Sequence, residues 1–126
     1  MPKVERSFRP RILVLEDEGL IGIDLALTLQ AQGYEVLGPC RKAAEVLESA
    51  RRLHPDLAIL DINLGDGTDS FKVAQMLQAA EIPLLFVSGY SEAVLPTPPG
   101  LRTARRLRKP VATKDLVDGI EALLDG

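Results

Sequence analysis

Four places in the chain put a reactive side chain at the end of a candidate strand, three of them directly after an apolar run. Glu16-Asp17-Glu18 follows Ile12-Leu13-Val14-Leu15, and Asp61 follows Leu57-Ala58-Ile59-Leu60. Ser88-Gly89 follows Pro83-Leu84-Leu85-Phe86-Val87, and Lys109-Pro110 follows a short stretch within Ala104–Arg108. Carboxylates brought together repel one another and call for a cation. With oxygen ligands and water, the natural ion is Mg²⁺, which binds through one or two carboxylates plus a phosphoryl oxygen. A carboxylate can also attack phosphorus and hold it as an acyl phosphate. Such a transfer needs positive charge on the non-bridging oxygens, which Lys109 and the ion would supply. The Ser88 hydroxyl could then bond a phosphoryl oxygen. Singly, each residue has an ordinary explanation: acidic groups favour helix starts, and Asp and Ser-Gly make turns. Their shared placement at candidate strand ends joins them.

Positioning them requires a particular framework. The run before Asp61 is continuously apolar and ends in a Gly-rich turn, as for a strand buried on both faces. Strands are expected at Ile12–Leu15, Tyr34–Gly38 (closed by Pro39), Leu57–Leu60, Pro83–Val87 and within Ala104–Arg108. The pattern from Leu20 to Gln32 is helical, with Ile21, Leu25, Thr28 and Leu29 on one face and Gly33 as its C-terminal cap. A second helix over 41–53 carries Ala43, Val46, Leu47, Ala50 and Leu53 inward, and His54-Pro55 ends it. A third runs from about Ser70 to Ala80. Pro96, Pro98 and Pro99 forbid a long regular fourth helix. In the last helix, Thr113 can cap a face of Leu116, Val117, Ile120, Leu123 and Leu124. Strands alternating with helices imply an α/β fold with a parallel sheet and helices on both faces. In such a sheet the strands end at one edge, where ligands and chemistry gather. Glu16, Asp17, Asp61, Ser88 and Lys109 are therefore candidates to meet.

Composition narrows the field. With 126 residues, 46% of them apolar, the chain can bury a core as one domain without staples. Residues 1–10 read as a flexible leader and 11–126 as the domain. A net charge of −3 gives no reason to expect nucleic-acid binding. Cys40 and His54 stand alone in their types, which leaves no disulfide framework, no cysteine zinc site and no histidine metal cluster. A reduced, cytoplasmic setting fits. The start lacks the apolar core of a signal peptide, and no apolar run approaches transmembrane length, so no membrane association is expected.

In these motifs the chain resembles the receiver domain of bacterial two-component response regulators, over about residues 11–124. The acidic pair Glu16-Asp17, the acceptor Asp61, the hydroxyl Ser88 and Lys109-Pro110 occur in the family's order on a five-fold βα pattern. The resemblance implies a flavodoxin-like doubly wound sheet of order 2-1-3-4-5, with the first and last helices on one face. It also implies an Mg²⁺ site built from Glu16, Asp17, Asp61 and the backbone carbonyl of Asn63, and a cis Lys109–Pro110 bond. Asp61 is then the phospho-acceptor, with Ser88 and Lys109 assisting. The donor is a sensor histidine kinase or histidine phosphotransferase, and a downstream protein reads the result. A stoichiometric acceptor with slow self-dephosphorylation is implied, not a turnover enzyme. Lys109 is expected to matter chiefly once the phosphoryl group has arrived, so its loss should largely spare folding.

The sequence also departs from the family. Ser88 stands where Thr is commoner, Glu16 where Asp is commoner, and Gly65 where many members have proline. Arg106 occupies the strand-five position that usually holds a switch aromatic. Phe86-Val87-Ser88-Gly89-Tyr90 resembles a subgroup with a Phe-x-Thr-Gly-Tyr-like motif. One rival is a haloacid-dehalogenase-like phosphatase, but that needs a second Asp two residues after the first, where Asn63 stands. Another is a flavodoxin-like cofactor binder, but Glu16-Asp17-Glu18 occupies the place of a phosphate loop. A third is a non-phosphorylated docking module, disfavoured because every phosphorylation residue is present.

Overall fold

In the computed structural model, which describes residues 9–62, 70–89 and 98–125, five strands form one wholly parallel sheet in the order β2-β1-β3-β4-β5. The strands are β1 (Arg11–Leu15), β2 (Glu35–Cys40), β3 (Leu57–Asp61), β4 (Leu84–Ser88) and β5 (Arg105–Arg108). Four helices accompany them: α1 (Gly19–Ala31), α2 (Ala43–Leu53), α3 (Ser70–Ala79) and α4 (Thr113–Asp125). The hydrophobic pattern dictates the strand positions. Every residue of β3 and β4 is buried, as central strands require, whereas β2 buries only Leu37 and Cys40 and β5 is a charged RRLR edge.

Apolar side chains cover both faces. Leu13, Leu15, Ala58, Leu60 and Phe86 pack with Val46 of α2 and Val73, Ala74 and Leu77 of α3. On the opposite face Ile12, Val14, Ile59, Leu85 and Val87 pack with Leu29 of α1 and with Leu116 and Ile120 of α4. The first and last helices thus share a face, and the whole is the doubly wound arrangement of the flavodoxin-like fold.

Several local expectations need correction. α1 buries Gly22, Ala26 and Leu29, while Ile21 is 39% exposed. This helix is apolar nearly all round, so periodicity could not select its inner face; the small residues did, by permitting close approach. A Cβ on Gly22 would lie 3.1 Å from Pro39 Cβ. β2 does not stop at Pro39 but runs through it to Cys40. An edge strand tolerates the missing N–H, and the register slips there, from Leu13↔Leu37 to Leu15↔Cys40, as a bulge. Gly38 enables this with φ +107°; a Cβ there would meet the Cys40 nitrogen at 2.5 Å. The Gly38–Pro39 and Lys109–Pro110 bonds are both cis.

The α1 terminus matches expectation. Gly33, at φ +94°, follows the last turn, and the Tyr34 N–H returns to the Leu29 carbonyl at 3.1 Å. Thr113, by contrast, is the first helical residue of α4 and not its cap, because the Leu116 N–H already bonds the Ala112 carbonyl. Between β4 and β5 the described residues hold only the 3-10 turn Pro99–Leu101, whose Leu101 is buried in the α2/α3 face. The leader through residue 8, Asn63, Gly65, Tyr90 and Pro96 lie outside the described residues.

Candidate functional site

The C-terminal edge of the sheet is assembled by hydrogen bonds that carry the ladder one step past the strands. The Glu16 N–H donates to the Cys40 carbonyl at 2.9 Å, so the β2 bulge delivers its last residue to the acidic cluster. The Ile62 N–H donates to Val87 at 3.0 Å, and the Lys109 N–H to Ser88 at 2.8 Å. Asp61 pairs in register with Val87, which places Ser88 one residue further along the neighbouring strand. Four of the expected residues converge: Glu16, Asp17, Asp61 and Lys109. Oxygens of Glu16, Asp17 and Asp61 all lie within 4.8 Å of one another. The Lys109 ammonium sits 2.7 Å from Glu16 Oε1 and 3.4 Å from Asp61 Oδ2. Glu16, Asp61 and Ser88 are buried, and Asp17 is half-buried.

The site is dense in charge, with Glu16 and Asp61 buried and Asp17 and Lys109 partly exposed. Burial by itself would lower the pKa of Lys109, but the adjacent carboxylates of Glu16 and Asp61 outweigh it, and the net direction is up. Lys109 is therefore an ammonium already paired by charge with both carboxylates. Glu16 Oε2 accepts from the Glu18 N–H at 3.2 Å. Glu16 Oε1 is different: it is buried and has no partner at hydrogen-bonding angles, even though Lys109 lies close enough to pair by charge. Such an oxygen, facing two further carboxylates, suits a hard divalent cation.

Two features escaped the sequence. Ser70, at the start of α3, donates from Oγ to the Asp61 carbonyl at 2.6 Å and reaches the Ile62 carbonyl at 3.2 Å. Only the polar residue at a helix start signalled it. The other is the setting of Arg106, whose guanidinium carbon lies 5.9 Å from the Phe71 ring centroid and 5.8 Å from that of Phe86. Those rings meet edge to face at 5.8 Å. A cation on two aromatic faces thus fills the strand-five position. Beside the site, α1 and the β5–α4 connection enclose an apolar groove of about 440 Å³, lined by Leu20, Ile21, Leu25, Val111 and Leu116 and reaching Glu16 and Lys109.

The site thus sits on a doubly wound α/β domain, with buried carboxylates and a lysine at the C-terminal edge of its parallel sheet, and comparison with known proteins supplies its class. The response regulator receiver domain matches residues 12–121. The chain is 35% identical over 86 residues to the phyllosphere-induced regulator PhyR of Methylorubrum extorquens, covering 67% of this chain and 32% of that protein. It is 32% identical over 119 residues to the transcriptional regulatory protein PdtaR of Mycobacterium tuberculosis, covering 88% and 55%. Among solved structures, the signal receiver domain of a modulated diguanylate cyclase from Desulfovibrio desulfuricans superposes with a TM-score of 0.80 at 29% identity, covering 93% of this chain and 94% of that one. The chain belongs to the response regulator receiver domain family, the phospho-accepting domains of two-component signal transduction. It spans only about a third to a half of the two curated relatives. Among the described residues, no helix is long and apolar enough to cross a membrane.

Proposed function

We propose that Asp61 is the phospho-acceptor, taking the group from a phosphohistidine on a sensor histidine kinase or histidine phosphotransferase. The observation that carries this is the contact set of Asp61: a carboxylate at the end of the central strand, 3.4 Å from an ammonium and beside two further acids. An Asp61 oxygen attacks phosphorus as the P–N bond to the donor histidine breaks, and the departing electron pair stays on the imidazole nitrogen. Lys109 neutralises the phosphoryl oxygens as they arrive, and Ser88 offers its hydroxyl to one of them. Glu16, Asp17 and Asp61, with the backbone carbonyl of Asn63, would hold Mg²⁺; the ion would supply Lewis-acid charge to the transferring group. The domain serves as a stoichiometric acceptor in the cytoplasm, with slow self-dephosphorylation and no turnover reaction.

The donor must bring its histidine within reach of Asp61. The apolar groove and the exposed Leu20, Ile23 and Leu27 of α1 form the hydrophobic surface nearest the site, and they favour a protein donor docking there. The downstream partner is a protein; the acidic net charge gives no support to direct nucleic-acid binding.

The test is incubation with Mg²⁺ and acetyl phosphate, followed by intact mass and peptide mapping. One phosphoryl adduct on Asp61, absent from Asp61→Asn, is expected. Full labelling of a folded Asp61→Asn variant would refute the assignment, and steady release of inorganic phosphate without an adduct would favour a phosphatase.

A further inference from the structure

Ser70 is 3% exposed and lies nine positions from Asp61, yet its hydroxyl is spent on the acceptor's own main chain. A serine at a helix start normally accepts from N–H groups of its own first turn. Here the hydroxyl points the other way. Its single proton reaches the Asp61 carbonyl at 2.6 Å and is shared with the Ile62 carbonyl at 3.2 Å. The location matters because strand pairing runs out there. The β1–β3 ladder ends at the pair Leu15↔Leu60, one residue short of Asp61. On the β4 side the Ile62 N–H is still held by Val87. The peptide after Asp61 is thus gripped by β4 through its nitrogen and by α3 through the carbonyl.

We infer that Ser70 is a positioning residue for phosphoryl acceptance. By fixing the Asp61 main chain, it holds the Asp61 carboxylate in register with the Lys109 ammonium and with the oxygens of Glu16 and Asp17. The inference rests on the reading of Asp61 as acceptor. Ser70 touches neither the phosphoryl group nor a metal, and its effect passes through backbone placement. Misplacing a reacting group by ~1 Å costs about 100-fold in rate, and a partly retained grip, as Val87 provides here, should cost nearer tenfold.

The experiment compares wild type with Ser70→Ala, Ser70→Thr, Ser70→Cys and the control Val73→Ala. Val73 is buried in the same helix and away from the acceptor's carbonyl, so its truncation reports general loosening of α3. Each protein is held at a temperature where it is folded, with saturating Mg²⁺, and the initial rate of adduct formation from acetyl phosphate is followed by intact mass. Ser70→Ala should be slowed about tenfold. Ser70→Cys, which keeps the volume but is a weak donor, should be slowed similarly and stands in if the alanine variant does not fold. Ser70→Thr keeps the hydroxyl and should recover most of the rate, and Val73→Ala should stay near wild type. Wild-type rates in both Ser70→Ala and Ser70→Cys would overturn the proposal, as would equal slowing in Val73→Ala. Absence of any adduct on wild type would instead overturn the acceptor reading beneath it.

Discussion

Lys109→Met replaces an ammonium with an uncharged side chain of similar length, and the consequence can be worked from the pocket. Lys109 pairs with Glu16 at 2.7 Å and Asp61 at 3.4 Å; its side chain is 18% exposed, and both acids are almost wholly buried. Removing one partner of a buried ion pair costs about 3–5 kcal/mol because the other charge is left uncompensated. The residual exposure of Lys109 places the expected loss at the lower end, about 3 kcal/mol, or ~10 °C in Tm for a domain of this size. The assay is thermal unfolding of wild type and variant across Mg²⁺ concentration and pH. Mg²⁺ should narrow the gap, since acids without their ammonium bind the ion more tightly, and each tenfold gain in affinity returns about 1.4 kcal/mol to the variant at saturation. The pH sign follows from the raised pKa of Lys109. A group whose folded pKa lies above its unfolded value contributes fully below the unfolded value, about 10.4 for lysine, and loses that contribution as pH rises through the folded one. The wild-type advantage should therefore hold at neutral pH and fade only in strong alkali. Equal stability of the two proteins without Mg²⁺ at pH 7 would refute the pairing, and a gap indifferent to Mg²⁺ would refute the shared site.

Gly22→Ala should weaken Mg²⁺ binding with little change in helix content, because the new methyl meets Pro39 at 3.1 Å and lies 3.5 Å from Glu16 Cγ; unchanged affinity by calorimetry would show that Glu16 does not shift. Glu45 accepts from the N–H groups of Arg41 and Lys42, and these bonds hold its carboxyl below the usual range. The urea midpoint of Glu45→Gln should accordingly fall below wild type at pH 7, and the difference should vanish as pH drops through the lowered pKa, where the wild-type carboxylate is protonated. A double-mutant cycle of Arg106→Gln with Phe71→Leu should give a coupling of about 0.5–1 kcal/mol in chemical unfolding, as for a partly exposed cation–π pair; zero coupling would mean that the guanidinium merely lies over the ring.

The architecture was legible because its strands differ in how many sides they bury. Leu57–Leu60 and Leu84–Val87 read as continuous apolar runs since both faces are covered, whereas the edge places of Glu35–Cys40 and Arg105–Arg108 were implied by the family resemblance and not by their patterns. The site residues were legible for a related reason: in a parallel sheet all strands finish at the same edge, so a reactive group after each run is already a three-dimensional statement. What stayed hidden depends on contacts that no local pattern encodes. Pro39 looked like a strand end, and only the edge position of β2 and the positive φ of Gly38 let the chain continue to Cys40, whose carbonyl then secures Glu16. Of the inner face expected for α1, Leu29 is buried and Leu25 packs against the core, but Ile21 is exposed and Gly22 lies inward in its place, because apolar residues encircle this helix.

Arg106 shows where the two kinds of information meet. The sequence marks it as a charged residue in place of an aromatic, and therefore as the loss of a ring that could swing behind Ser88. The structure gives the guanidinium an occupation of its own, over Phe71 on α3 and Phe86 on β4. Phe86 lies two residues before Ser88 on the same strand, and Phe71 follows Ser70, whose hydroxyl holds the Asp61 carbonyl. A cation close to both rings therefore links the edge strand to the two elements that carry the candidate hydroxyl and the grip on the acceptor. A freely rotating ring reports on Ser88 alone, but this arrangement touches both sides of the site. Any motion of β4 or of the α3 start would alter the contacts of Arg106 with these rings.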